Sequence, residues 1–239
     1  MKQISEKIER LKDDINSTCA KIGRDPKSIT LIVVTKSTTI DNIKKVIKLG
    51  MTDLGENRVQ QLKKVSTQVS EFIDQNTKDE SIPQKINWHM IGHLQRNKVR
   101  QALIIASLIH SVDTLRLAEE LNTAAGKLNL KPKILLQVNT SQEPQKYGVP
   151  VGAATHLAEQ IHTMPNLNLA GLMTMAPLTR DKDAAKACFS RARELFQEIR
   201  EEKIVGPEFT ELSMGMSGDY ISAIEEGATI LRIGSAIFS

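Results

Sequence analysis

Aromatic side chains are scarce in this sequence: one Trp, two Tyr and five Phe among 239 residues. Readers of single-stranded nucleic acid stack bases on such rings, and readers of duplexes gather Lys and Arg on one face. Here 32 basic and 28 acidic residues, a net charge of +4, are interleaved along segments of helical spacing, so no nucleic-acid partner is expected. Cysteine is as rare. Cys19 and Cys188 have no CxxC or Cys/His spacing around them, so two buried reduced thiols in a reducing cytoplasm are expected. Long apolar runs are missing too. The longest greasy stretch, "ALIIASLI", is far too short to cross a bilayer, and the opening "MKQISEKIERLKDD" is charged at helical spacing with no apolar run behind it. A soluble cytoplasmic protein without a membrane partner is the expectation.

Hydrophobic residues nevertheless make up 40% of the chain, drawn from Leu, Ile, Val, Ala and Met, which suits the interior of an α/β protein. That is enough to bury a full core, and a single domain over residues 1–239 is expected. Ile4, Ile8, Leu11, Ile15, Cys19 and Ile22 recur every three or four residues and predict an amphipathic helix ending at Gly23. "ITLIVVT" is then apolar without alternation, as in a strand covered on both faces of a parallel sheet. Ile40, Ile43, Val46 and Ile47 return to helical spacing.

The same strand-then-helix phrase repeats. "MTDLGEN" precedes a helix around 57–74, "INWHMIG" one around 95–106, and "SLIHSV" one opened by "DTLRLAEEL". "KILLQVN" precedes 151–163, "LNLAGLM" precedes 182–202, "FTELSMG" precedes a short helix near 219–226, and "ATILRIG" ends the series. Eight such units predict a (β/α)8 barrel of the TIM type. Only "SAIFS" follows the last strand, too little to cover it, so the N-terminal helix is expected to fill that gap. The polar stretch 66–85 reads as a helix end followed by a loop.

Barrels carry their chemistry at the carboxyl ends of the strands. Those ends hold Lys36, Glu56 and Asn57, His89 and His93, Asp113, Asn139, Met173 and Thr174, Ser213 through Ser217, and Arg232 with Gly234 and Ser235. A lysine facing a mostly enclosed cavity is pushed toward its neutral amine, which attacks carbonyls to form Schiff bases. The competing reading has Lys36 snorkelling to solvent or pairing with Glu56. "SMGMSGD" and "LRIGS" are small-residue loops at the two strands where barrels hold phosphate; otherwise they are ordinary turns. A helix start near Ser217 is expected to aim its positive end at the anion. A carbonyl-reactive amine facing a phosphate cradle describes pyridoxal 5'-phosphate, with Arg232 near its ring or else salt-bridged in the barrel. His89 and His93 have the HxxxH spacing of a helical metal site, but their segment reads as a strand, so no metal is expected.

The blocks "VVTKSTT", "GENRVQ", "WHMIGHLQRNK", "HSVD", "LLQVNTSQEPQKYGV", "GLMTM", "SMGMSGDY" and "RIGSAIF", in this order over nearly the whole chain, resemble the YggS/PROSC family of pyridoxal phosphate homeostasis proteins. The resemblance implies a barrel like the N-terminal domain of alanine racemase, with the cofactor held as an internal aldimine. It implies that Lys36 is the Schiff-base lysine, that Ser213 and the Gly234–Ser235 turn hold phosphate, that Arg232 faces the pyridine nitrogen, and that Asn57 and His89 line the pocket.

Racemisation needs proton donors on opposite faces of the substrate, and Lys36 serves one. Tyr147 and Tyr220 are the only phenols, read as a loop residue and a helix-start residue. A guanidinium at the ring nitrogen also weakens the electron sink. The expectation is a monomeric protein that binds, buffers or delivers the cofactor without robust catalysis, with apo forms of enzymes using it as potential recipients. The alternatives are an amino-acid racemase of fold type III and, behind it, a cofactor-free aldolase using Lys36.

Overall fold

Strands whose residues are apolar on both faces need cover on both, and a closed parallel barrel wrapped by helices supplies it. In the computed structural model, which describes residues 2–141, 143, 147–177 and 181–239, nine strands form: β1 (Thr30–Val34), β2 (Asp53–Glu56), β3 (Asn87–Met90), β4 (Leu108–Val112), β5 (Lys133–Asn139), β6 (Val149–Pro150), β7 (Asn168–Met173), β8 (Glu211–Ser213) and β9 (Ile230–Ile233). Residues 142 and 144–146 of "LLQVNTSQEPQKYGV" lie outside the described residues.

The order is β4-β3-β2-β1-β9-β8-β7-β5, every pair parallel, and β4 pairs with β5 to close the ring with Ile109 opposite Ile134. The ninth strand, β6, pairs only with β5, which leaves the eight of a closed barrel, as the repeating phrase predicts. The helices are α1 (Lys2–Lys21), α2 (Ile40–Lys48), α3 (Val59–Gln75), α4 (Val99–Ile105), α5 (Leu115–Lys127), α6 (Val151–His162), α7 (Lys182–Glu201), α8 (Tyr220–Glu225) and α9 (Ser235–Phe238). The expected helix over 95–106 is divided: a 3-10 turn at Arg96–Lys98 leads into α4.

Alternation along the strands sorts the core into two parts. Val33, Leu54, Met90, Ile109, Ile134 and Leu212 face the helices, whereas Ile32, Leu108, Leu135, Ala170, Met173 and Ile230 meet inside the barrel. The predicted stripe of α1 buries Ile8, Leu11, Ile15 and Cys19. That face packs on α8, α9 and α2, so α1 covers the gap left after β9, as its position in the sequence implies. Two polar contacts pin it there: Tyr220 donates to Asp14 Oδ2 at 2.6 Å, and the Lys7 amine donates to the Ser239 carbonyl. Both cysteines are free and buried. Among the described residues, no helix is long and apolar enough to cross a membrane.

Strand β7 passes β8 so closely at Gly171 that a Cβ there would stand 1.7 Å from the Glu211 carbonyl oxygen. Gly171→Ala is therefore expected to cost about 3 kcal/mol or more by forcing the two strands apart. Gly152→Ala, whose Cβ meets nothing within 4 Å, should change stability by less than about 1 kcal/mol. Urea unfolding of the two variants checks the contrast.

Candidate functional site

A cavity of about 1280 Å³ opens at the carboxyl ends of the barrel strands. Lys36, Asn57, Arg232, Gly234 and Ser235 line it, five of the residues expected from the sequence. Thr35 faces outward at the end of β1, where its hydroxyl donates to Glu56 Oε1 at 2.6 Å; the next residue, Lys36, turns back to the cavity. Lys36 and Glu56 form no ion pair, which removes the pairing half of the competing reading and leaves the solvent half. Burial raises the Glu56 pKa, opposed by the Thr35 bond, the Asn57 N–H and the Lys36 charge. Lys36 itself is exposed. The enclosure expected around its amine is not found, because it stands at the mouth and not within the barrel.

Asn57 is set by Gly92, where a Cβ would stand 2.3 Å from the Asn57 carbonyl oxygen. Only a glycine lets the chain after β3 pass the end of β2 this closely. Across the cavity, Ser217 Oγ accepts the backbone N–H groups of Gly234 at 3.4 Å and Ala236 at 3.1 Å, at the start of α9. One oxygen thus sits on two converging N–H donors, between the two small-residue loops. Asp219 stands at the start of α8, and its carboxylate accepts the Met216 N–H at 2.5 Å without a side-chain bond to the N–H groups of the helix itself.

Arg232 points inward from β9 and is 4% exposed. Its Nη1 donates to Ser213 Oγ at 2.6 Å and its Nη2 to the Thr174 carbonyl at 2.8 Å. Burial pushes its pKa down to about 10, with the Asp219 charge opposing, so the guanidinium stays protonated at neutral pH.

Two expected pocket residues lie elsewhere. Ser213 is fully buried and does not line the cavity; its hydroxyl meets Arg232 and, at 2.9 Å, His110 Nδ1. Ser217, four residues on, reaches the cradle in its place. His89 also lies below the cavity, its Nε2 3.1 Å from Asp53 Oδ1 and its Nδ1 3.1 Å from His110 Nε2. The cause is depth: both side chains point to the axis from within a strand, while the loops beyond the strands build the mouth. Ser217 carried a signal, as the second serine of "SMGMSGD". His110 carried little, lying in "SLIHSV" among residues that read as plain strand.

His93 and Tyr147 also line the cavity, their rings stacked at 4.2 Å. His93 Nδ1 stands 3.4 Å from Asp113 Oδ2, and burial raises the Asp113 pKa against the pull of that histidine. His89 and His93 are therefore apart, and among the described residues no cluster of His, Cys, Asp or Glu suits a metal. Tyr220 is at a helix start as expected, bonded to Asp14, and burial with that carboxylate pushes its pKa up to about 12. Tyr147, read as a plain loop residue, is instead part of the cavity wall.

Residues 30–239 match the alanine racemase N-terminal domain. A pyridoxal phosphate homeostasis protein of Vibrio alginolyticus is 36% identical over 100% of this chain and 97% of its own length. The structure of PipY from Synechococcus elongatus, described with pyridoxal phosphate bound, superposes with a TM-score of 0.82 at 32% identity, covering 99% of this chain and 100% of that one. The crystal structure of an unknown protein from Bifidobacterium adolescentis gives a TM-score of 0.91 at 32% identity, with 99% of this chain and 95% of that one covered.

His110 is wholly buried, and desolvation, with the His89 and Arg232 charges, holds its pKa well below the usual imidazole value. The folded chain then binds fewer protons than the unfolded one, so stability is lost as pH falls through the unfolded imidazole's range. The loss should approach about 1.4 kcal/mol per pH unit below about 6.5. His110→Asn is expected to flatten this slope between pH 6.5 and 5, measured by urea midpoints at fixed pH.

Proposed function

Because this chain belongs to the alanine racemase N-terminal domain family, and within it to the pyridoxal phosphate homeostasis proteins, we propose that it binds pyridoxal 5'-phosphate and buffers or delivers it in the cytoplasm. One barrel domain over 1–239 carries the site in this reading. The observation that carries the reading is the pairing, across one cavity, of the Lys36 amine with the cradle of Ser217, Gly234 and Ala236. The cofactor supplies an aldehyde that condenses with a primary amine, and a phosphate on the opposite side of its ring. The residues fit it. The amine is free of Glu56, Ser217 Oγ accepts from the Gly234 and Ala236 N–H groups and keeps its own proton to donate to a phosphate oxygen, and a buried cation underlies the cavity.

Lys36 serves as the attachment point, and Ser217, Gly234 and Ser235 hold the phosphate. Arg232 faces the ring with the N–H donors that Ser213 and Thr174 leave over. Asn57 borders the ring side. His89 and Ser213 act, in this reading, from beneath the site and not by contact.

A racemase is the second reading, and Tyr147 on His93 is the observation in its favour, since it puts a phenol in the cavity wall. Against it stand the permanent charge of Arg232, which leaves the ring nitrogen without a proton, and the exposure of Lys36 to water.

Purified protein loaded with the cofactor should be yellow, and borohydride should fix the pyridoxyl group on the peptide containing Lys36. Lys36→Ala should stay folded and lose the colour, and labelling at another lysine would refute the assignment. Ser217→Ala should weaken binding of the phosphorylated cofactor by about tenfold, the loss of one charge-assisted hydrogen bond, and leave the weaker binding of pyridoxal unchanged. No amino acid should be racemised at the roughly 1 to 1,000 per second of ordinary enzymes; sustained turnover abolished by Lys36→Ala would establish the racemase.

A further inference from the structure

Below the cavity runs a chain of polar side chains that binding the cofactor does not by itself require. It passes from Arg232 through Ser213, His110 and His89 to Asp53, each link between 2.6 and 3.1 Å. Four strands contribute to it besides β9, and Ser213 and His110 are wholly buried.

The chain has a direction that follows from valence. A guanidinium only donates, so Ser213 Oγ accepts from Arg232 and keeps one proton of its own. The other polar partner of that hydroxyl is His110 Nδ1, which must then be the acceptor. The ring proton of His110 is left on Nε2, where it donates to His89 Nδ1. His89 carries its own proton on Nε2 and donates to the Asp53 carboxylate. Asn87 Nδ2 at 3.2 Å and the Thr52 hydroxyl at 3.1 Å also donate to that carboxylate.

Electrostatics selects the same direction independently. With a cation at one end and an anion at the other, every link points its hydrogen toward the anion and its lone pair toward the cation, so the bonds reinforce one another. The reverse direction would give Ser213 two donors and leave its buried hydroxyl proton without an acceptor, a penalty comparable to a lost hydrogen bond.

We propose that Ser213, His110, His89 and Asp53 are positioning residues for the cofactor, a one-way hydrogen-bond relay that ties the Arg232 guanidinium to an anion at the opposite end of the barrel. The proposal rests on the reading that the cavity takes pyridoxal phosphate. The relay holds Arg232 in one orientation and sets the field that the ring meets at the cavity floor. Its anionic end is the less buried one: the Asp53 side chain is 23% exposed and lines a separate cleft of about 340 Å³ with Lys12, Asn16 and Thr52. A change of charge at that cleft is thereby felt at the cofactor, through the buried side chains of His89, His110 and Ser213.

The test begins on the cofactor-free wild type, with nitrogen-15 histidine correlations at neutral pH, which report the proton position on each ring. His110 and His89 should both carry it on Nε2. Binding and visible spectra of protein loaded with pyridoxal phosphate then follow for Asp53→Asn, His110→Leu and His110→Asn. Asp53→Asn and His110→Leu should shift the absorbance maximum and weaken binding by about tenfold. His110→Asn keeps an acceptor for the Ser213 hydroxyl and should return both toward wild type. His110 protonated on Nδ1 in a wild type that takes up the cofactor overturns the relay alone. So does unchanged absorbance and affinity in both Asp53→Asn and a folded His110→Leu. A wild type that takes up no pyridoxal phosphate overturns the functional reading, and the positioning role with it.

Discussion

Arg232 leaves the middle of β9 pointing at the barrel axis, and the neighbouring strands bury it to 4% exposure. Removing a cation from water this completely costs several kcal/mol unless its N–H groups are met and its charge is balanced. The direct hydrogen-bond partners, Ser213 and the Thr174 carbonyl, are neutral. The Asp219 charge favours the guanidinium, and the interior adds a polar path to a second carboxylate. One lane through it is polar, from Ser213 by way of two imidazoles to Asp53, while Ile32, Leu108, Leu135, Ala170, Met173 and Ile230 fill the remainder as an ordinary apolar layer. His110, at zero exposure, stands in that lane with both ring nitrogens in hydrogen bonds.

The architecture was open to reading because its signal is repetitive. Eight apolar runs, seven of them followed by helical spacing, allow few topologies, and the short tail after "ATILRIG" even located α1. The site was open to reading only in part, and depth decided which part. Lys36, Asn57, Gly234 and Ser235 lie just past strand ends, where being last in the strand and facing the cavity amount to the same thing. Ser213 is also last in its strand, yet its side chain points inward below the mouth, and the loop must continue to Ser217 before a hydroxyl reaches Gly234 and Ala236. His89 fails in the same way. Residue type and order along the chain do not encode how far below the rim a side chain sits, because that depends on the stagger between strands that are distant in sequence.

Tyr147 illustrates a second limit. Its place against His93 joins residues 54 positions apart in the chain, and nothing in the local sequence pattern states this. The phenol bears on catalysis, since it stands in the cavity wall, yet the surroundings of the lysine argue the other way. An enzyme acting through a Schiff base gains by closing its site, which strengthens charges and keeps water from the reacting atoms. Here Arg232 on the cavity floor is sealed and Lys36 at the mouth is exposed.

That contrast has a functional sense under the proposed reading. A carrier must hold the ring and phosphate firmly while leaving the one covalent bond reachable, because release requires water or an incoming amine to attack the linkage at Lys36. The sealed Arg232 and the cradle at α9 supply the holding, and neither takes part in bond making. The exposed end of β1 supplies the access. Burial of Lys36 to the degree of Arg232 would favour chemistry on a trapped substrate but would close the route by which an acceptor amine approaches. The division of burial between these two cations, one at the floor and one at the rim, is therefore the feature of the barrel that best fits delivery over turnover.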